Sequence, residues 1–138
     1  MSNEPINLQT SSPFEVKIQI NSIDIDEMDH VNNVVYLQWV QQVATAHWLS
    51  MTSPEIRDTY RWVVLRHEID YFNPALLGDE IVGITWVSTA TGAQSIRHVR
   101  FMVGEKKIAE AKTNWCLIDA KTFKPKRIGQ DIKDLLQK

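Results

Sequence analysis

The chain is 138 residues long, 43% hydrophobic and 23% charged, values that fit one globular domain with a single core. A net charge of −2 with both signs spread along the sequence provides no basic footprint for nucleic acid. The only cysteine, Cys116, excludes an internal disulfide and leaves a zinc site without its usual partners, so no metal or redox cofactor is expected and a reducing cytoplasm fits.

Residues 1–12, MSNEPINLQTSS, hold no apolar targeting core, and no later segment has the ~20 apolar residues of a membrane span. A flexible N-terminus followed by one domain over 13–138 is expected, with no membrane as partner. Residues 14–20, FEVKIQI, alternate apolar and polar with period two, which predicts a half-buried strand. From Asn33 to about Met51 the period changes. Gln38, Gln41, Gln42 and Thr45 collect on one stripe, while Val34, Val35, Leu37, Trp39, Val40, Val43, Ala44, Trp48 and Leu49 cover most of the rest. This predicts a long, largely buried helix with Asn32 or Asn33 as its N-cap, ended by the Ser53-Pro54 break.

The remainder reads as strands. Tyr60 to Tyr71 is a long β-rich run stopped by Asn73-Pro74; Ile81 to Val87, Ser95 to Val103 and Lys107 to Ile118 follow, the last two joined by Gly104-Glu105 as a hairpin. Gln130 to Gln137 closes the chain as a short helix. Five strands and one apolar helix point to an α+β layer in which an antiparallel sheet wraps the helix. Trp62, Trp86 and Trp115 lie on three different strands, and those that face outward are expected to be covered by a second subunit.

The chemistry concentrates where the first strand gives way to the helix. Asp24, Asp26, Asp29, His30, Asn32 and Asn33 stand within ten residues. In one reading Asp26 is a carboxylate at a helix start, acting as nucleophile or as general base towards water. In the other, the three acids are turn residues whose side chains bond nearby backbone N–H groups. His30 either supports the site or caps the turn. Asn33 matters through its backbone, because N–H groups of the first helical turn lack intrahelical acceptors and the dipole favours negative charge there by ~0.3–1 kcal/mol. That is an oxyanion hole in outline. Motifs for serine hydrolases, nucleotide hydrolases, zincins and CxxC redox sites are absent from the sequence. His47, placed at the edge of the helix packing, His67 and His98 receive no role.

The string DIDEMDHVNNVVYLQW from Asp24 to Trp39, with RHEIDYFNPALLGDEIVGITWV and the late LIDAKTFKPKRI, resembles the hotdog-fold acyl-CoA thioesterases of the 4-hydroxybenzoyl-CoA thioesterase type, from about Phe14 to Ile132. The first string is also similar to the HVNN-containing motif of plant acyl-carrier-protein thioesterases. The resemblance implies the hotdog fold, a curved five-stranded antiparallel sheet around a central helix, with subunits paired as a homodimer or homotetramer and active sites at the subunit interface. It places the catalytic carboxylate on Asp26, the carbonyl-polarising N–H on Asn33, and a supporting role on His30. Asn32, Ser95, Lys126 and Arg127 are the candidate substrate contacts, the two cations for the phosphates of CoA or the acidic surface of an acyl-carrier protein. This chain departs from the pattern at Asp29, where many relatives have glycine, at Met28, where the plant enzymes have asparagine, and at Gln41 or Gln42, where another hotdog branch has a catalytic glutamate. Hydrolysis of acyl-CoA to a free acid and a thiol is the function implied; a non-catalytic acyl-thioester binding module and an acyl-carrier-protein thioesterase are the alternatives.

Overall fold

The structure is a computed structural model that describes residues 13–137; the flexible stretch expected over 1–12 lies outside the described residues. The chain runs β1 (Phe14–Ile18), a single 3-10 turn (Ser22–Asp24), α1 (Asn33–Met51), α2 (Pro54–Thr59), β2 (Tyr60–Tyr71), β3 (Ile81–Thr91), β4 (Gln94–Val103), β5 (Lys106–Asp119) and α3 (Gln130–Leu136). All five strands form one curved antiparallel sheet in the order β1-β3-β4-β5-β2, with the long helix against it, which is the hotdog arrangement. Among the described residues, no helix is long and apolar enough to cross a membrane.

The strand order matters for the site. β2 does not pair with β3, its successor in sequence, but with β5 at the far edge. The link over residues 72–80 therefore crosses one end of the sheet, and it passes beneath the start of α1. There the fully buried Ala75 accepts a hydrogen bond from Val31 N–H at 2.9 Å. The expected two-residue connection at Gly104-Glu105 joins β4 to β5, with Gly104 at φ 59°, a left-handed conformation that glycine adopts without a Cβ penalty.

Helix α1 is buried on the face carrying Tyr36, Trp39, Val40, Val43 and His47, while Gln38, Gln41, Gln42 and Thr45 are exposed. Tyr36, Trp39 and Phe101 form a cluster of edge-to-face and tilted rings with centroids 5.1 to 6.0 Å apart. Each such side chain taken out of water contributes ~1.5–3 kcal/mol, so this cluster anchors the N-terminal half of the helix. A second cluster, Val87, Leu117, Ile128, Ile132 and Leu136, holds α3 over the other end.

Several expectations need correction. Val34 and Leu49 are 62% and 52% exposed rather than buried, because they flank the glutamine stripe on the side the sheet does not reach. His47 is buried, not at the edge of the packing. The Ser53-Pro54 break does end α1, and it also opens α2: Ser53 Oγ accepts from Ile56 N–H and Pro54 takes the first helical position, where a missing N–H costs nothing. Trp86 is buried within the single chain, its ring stacked on His98 at 5.2 Å with Arg100 over it.

Candidate active site

Between β1 and α1 the chain makes a closed polar loop. Asp26 N–H donates to His30 O at 2.8 Å, Asp29 N–H donates to Asp26 O at 3.0 Å, and Ile25 bridges Val31. The Asp26 carboxylate is part of the same construction. Its Oδ1 accepts from Met28 N–H at 2.9 Å and from His30 N–H at 3.3 Å. The turn reading of this residue is thus correct for one oxygen, and the second oxygen, Oδ2, has no hydrogen-bond partner among the described residues. The Asp24 side chain serves the turn before it, its Oδ2 accepting from Asn21 N–H at 2.9 Å, while the Asp24 carbonyl accepts from Asn32 N–H at 2.8 Å. Asp29 has φ 63°, the left-handed conformation that explains why glycine suits this position.

The helix start leaves one donor bare. Asn32 is the N-cap: its side chain accepts from Val34 N–H at 3.1 Å, and its carbonyl accepts from Val35 N–H at 2.9 Å. Asn33 N–H lies between them with no acceptor among the described residues. Tyr71, the last residue of β2, donates from its hydroxyl to Asn33 O at 3.2 Å and so fixes the first helical residue to the sheet. Burial raises the Tyr71 phenol above its ordinary pKa and pushes Tyr36 up to about 12, so both remain hydroxyl donors across the physiological range.

These parts meet in one open cleft of about 390 Å³, lined by Asp26, His30, Asn32, Asn33, Tyr36 and Tyr71 among others. The structure therefore brings together the four polar residues expected from the loop and the helix start. It does not bring in the rest. Ser95 is buried on β4 and lines a different cavity, at the other end of α1. Lys126 and Arg127 are exposed on the segment between β5 and α3, and neither lines this cleft. Sequence reasoning missed the far wall, Tyr71 to Pro74. Its signal was present in the aromatic pair Tyr71-Phe72 before the Asn73-Pro74 stop, at the end of what proved to be an edge strand. Asn73 Nδ2 donates to Lys107 O at 2.8 Å, and Lys107 Nζ sits 4.4 Å from the centre of the Phe72 ring, which holds that wall in place.

A loop carboxylate with one oxygen held and one free, beside an unpaired N–H at the positive end of a 19-residue helix, can place a nucleophile or a water against a carbonyl whose oxygen is polarised. Comparison with known proteins identifies a family and a fold. Residues 21–136 match the family model of the thioesterase-like superfamily. The long-chain acyl-CoA thioesterase FadM of Escherichia coli (strain K12) is 23% identical over 134 residues, spanning 90% of this chain and 97% of that one. Among solved structures, the probable thioesterase YbaW of Escherichia coli has a TM-score of 0.79 at 21% identity, over 89% of this chain and 96% of its own. A 1,4-dihydroxy-2-naphthoyl-CoA thioesterase from Synechocystis gives 0.78 at 18%, over 91% and 96%. A thioesterase from Thermus thermophilus, complexed with coenzyme A and Zn, gives 0.78 at 20%, over 88% and 90%.

Proposed function

The chain belongs to the thioesterase-like superfamily, and from that premise we propose that it hydrolyses an acyl thioester, with acyl-CoA as the substrate class, to a free acid and a thiol. The observation that carries the proposal is the bare Asn33 N–H in the same cleft as an Asp26 carboxylate whose Oδ1 is tied to the loop. In this reading the thioester oxygen sits on Asn33 N–H, where the negative charge that develops as the carbonyl becomes tetrahedral is favoured by the helix dipole. Asp26 Oδ2 either takes a proton from water as its oxygen bonds to the carbonyl carbon, or bonds to that carbon itself and is released by water afterwards. In the first route the C–S bond breaks as the tetrahedral carbon collapses, and Asp26 passes its proton to the departing thiolate. In the second the thiolate leaves as the acyl-aspartate anhydride forms, and the water that then cleaves the anhydride supplies the proton and restores the Asp26 carboxylate. His30, whose backbone closes the loop around Asp26, supports the carboxylate, and Asn32 presets the Asn33 N–H.

The names of the relatives support CoA as the carrier of the acyl group, and Lys126 and Arg127 are proposed to meet its phosphates. An acyl-carrier protein is the alternative partner for the same cations. The functional unit is proposed to be a homodimer or homotetramer with sites at the subunit interface. What supports this is β2, an edge strand of 12 residues that exposes Val63 and Leu65 and ends in Tyr71 at the cleft wall. A partner along that edge would complete the cleft.

The test is thiol release from a panel of short, long and aromatic acyl-CoAs, run with Asp26→Asn alongside. Turnover that falls at least ~100-fold in a folded variant supports the proposal. An undiminished rate rejects Asp26, and no turnover with any acyl-CoA or acyl-carrier-protein substrate, together with tight binding of a non-hydrolysable acyl-CoA analogue, would make the protein a binding module.

A further inference from the structure

At the opposite end of α1 lies a cavity of about 360 Å³, bounded by side chains of all three helices and of β2, β4 and β5. A cavity of ~150 Å³ accommodates benzene, so there is room here for a body of about two fused rings. The walls suit one. Trp48, Trp62 and Trp115 line the cavity, the first two edge to face at 5.6 Å.

Arg97, on β4, lines the same cavity and is only 5% exposed. Its Nη1 donates to His47 Nδ1 at 2.8 Å and to Thr85 Oγ1 at 3.0 Å. Thr85 gives its own hydrogen to His98 O at 2.8 Å, so it can only accept from Arg97. Both hydrogens on Nη1 are thereby used. The remaining three of the five guanidinium N–H groups, on Nε and Nη2, have no partner among the described residues, and none of those residues forms an ion pair with Arg97. His47 supplies no negative charge: burial, helped by the positive charge of Arg97, lowers its pKa to about 4, so it stays neutral and Nδ1 accepts from Arg97. Burial lowers Arg97 itself only to about 10, so it stays charged at neutral pH. A second donor in the wall, Trp115 Nε1, is buried and without a partner.

A cation as buried as Arg97, with no anion beside it among the described residues, is costly. The Nε–Nη2 edge of a guanidinium is shaped for two parallel bonds to a carboxylate. We infer that this cavity is a binding site for an organic carboxylate, its flat apolar body between the tryptophans and its carboxylate on the free edge of Arg97. Arg57 and Arg61 at the rim outnumber Asp58 and add to the attraction. The carboxylate has two sources, a free acid or the distal end of an acyl chain; the binding site itself does not depend on thioester hydrolysis.

Isothermal titration of the full chain with 2-naphthoate and with the neutral isostere 2-naphthylmethanol tests the inference. The acid should bind at least about tenfold more tightly, a difference Arg97→Gln should abolish while leaving the alcohol unaffected. Thr45→Trp, made at an exposed residue on the rim, should block both ligands with circular dichroism unchanged, and it decides the matter if Arg97→Gln fails to fold. Equal affinity for acid and alcohol, no binding of either, or acid binding that survives Thr45→Trp overturns the site. The source is separated by turnover. A preference for an ω-carboxyacyl-CoA over its methyl ester, lost in Thr45→Trp, assigns the carboxylate to the acyl chain; naphthoate binding without that preference assigns it to a free acid. A protein that turns over nothing still answers the titration.

Discussion

At the N-terminal end of α1 the groups that matter are backbone N–H groups and one carboxylate in an exposed loop, tied by hydrogen bonds between residues two to four apart. At its C-terminal end they are an arginine and a histidine 50 residues apart in sequence, buried together under aromatic side chains. The first region is built from local sequence and can be altered without touching the core. The second exists only because the sheet brings β4 under α1, and a change there alters stability as well as binding.

The largest effect that would break this contrast concerns Asp26. Asparagine keeps an Oδ1 acceptor for Met28 and His30 N–H but lacks the carboxylate, so turnover should fall by ~10²–10⁴-fold while the melting temperature stays close to that of the parent. Steady-state thiol release and thermal unfolding measure the two quantities. A loss of stability that accounted for the loss of rate would make Asp26 part of the frame and erase the distinction between the two ends.

The next effect belongs to the other end and is read through pH. His47 has a folded pKa of about 4 against an ordinary 6.5, caused first by burial and then by Arg97. The unfolded chain therefore takes up a proton that the folded chain resists. This share of stability is complete above about pH 6.5 and is lost as pH falls through about 4, by at most ~3 kcal/mol once solvent screening is allowed for. Burial lowers His67 and His98 as well, and they steepen the same slope. Denaturant unfolding of the parent and of His47→Asn at pH 7 and pH 4.5 isolates the share: the variant should lose less stability on acidification, and parallel losses would mean that His47 does not titrate as described.

Between the two ends, the middle of α1 approaches β3 at Gly83. A Cβ there would stand 2.8 Å from Val43 Cγ2, so Gly83→Ala should cost ~1–3 kcal/mol of stability, and Val43→Ala in the same chain should recover part of it. Chemical denaturation of the four proteins in that cycle measures the coupling. Additive losses would show that the helix has room to move away, and with it freedom for the two ends to shift relative to each other.

The same contrast governs what could be read from sequence. The span Asn33 to Met51 and the strand Tyr60 to Tyr71 follow from periodicity and stop signals that neighbours in sequence supply. The loop from Asp26 to Asn33 was legible for the same reason, since the bonds that close it around the Asp26 carboxylate are short-range, whereas the bonds that tie Val31 to Ala75 and Asn33 to Tyr71 are not. Ser53-Pro54 carries a helix start as well as a break, and only the break is legible from the end of the apolar pattern. The place of β2 at the far edge was not legible, because strand order depends on which faces pack in three dimensions. Tyr71 at the cleft wall was missed with it. His47 and Arg97 each look ordinary in their own element; their meeting is a property of the fold, and so is the place of Ser95 in the cavity at that end of the helix rather than in the cleft with Asp26.

The smallest effect sharpens the comparison most finely, because it separates capping from chemistry at a single position. Asn32 caps α1 by accepting from Val34 N–H, and Asn32→Ala should cost ~1 kcal/mol of stability, measured by thermal or chemical unfolding. Turnover should fall with it, since the Asn33 N–H loses the residue that sets its direction. Asn32→Asp is the informative partner. An aspartate caps as well as an asparagine, so stability returns, yet it sets a negative charge next to the N–H that is to receive an oxyanion. If Asn33 N–H polarises the thioester, Asn32→Asp stays slow although the fold is restored, and the deficit appears in kcat rather than in KM. Recovery of rate together with stability would mean that the helix start serves as a frame alone and that the oxyanion is held elsewhere in the cleft.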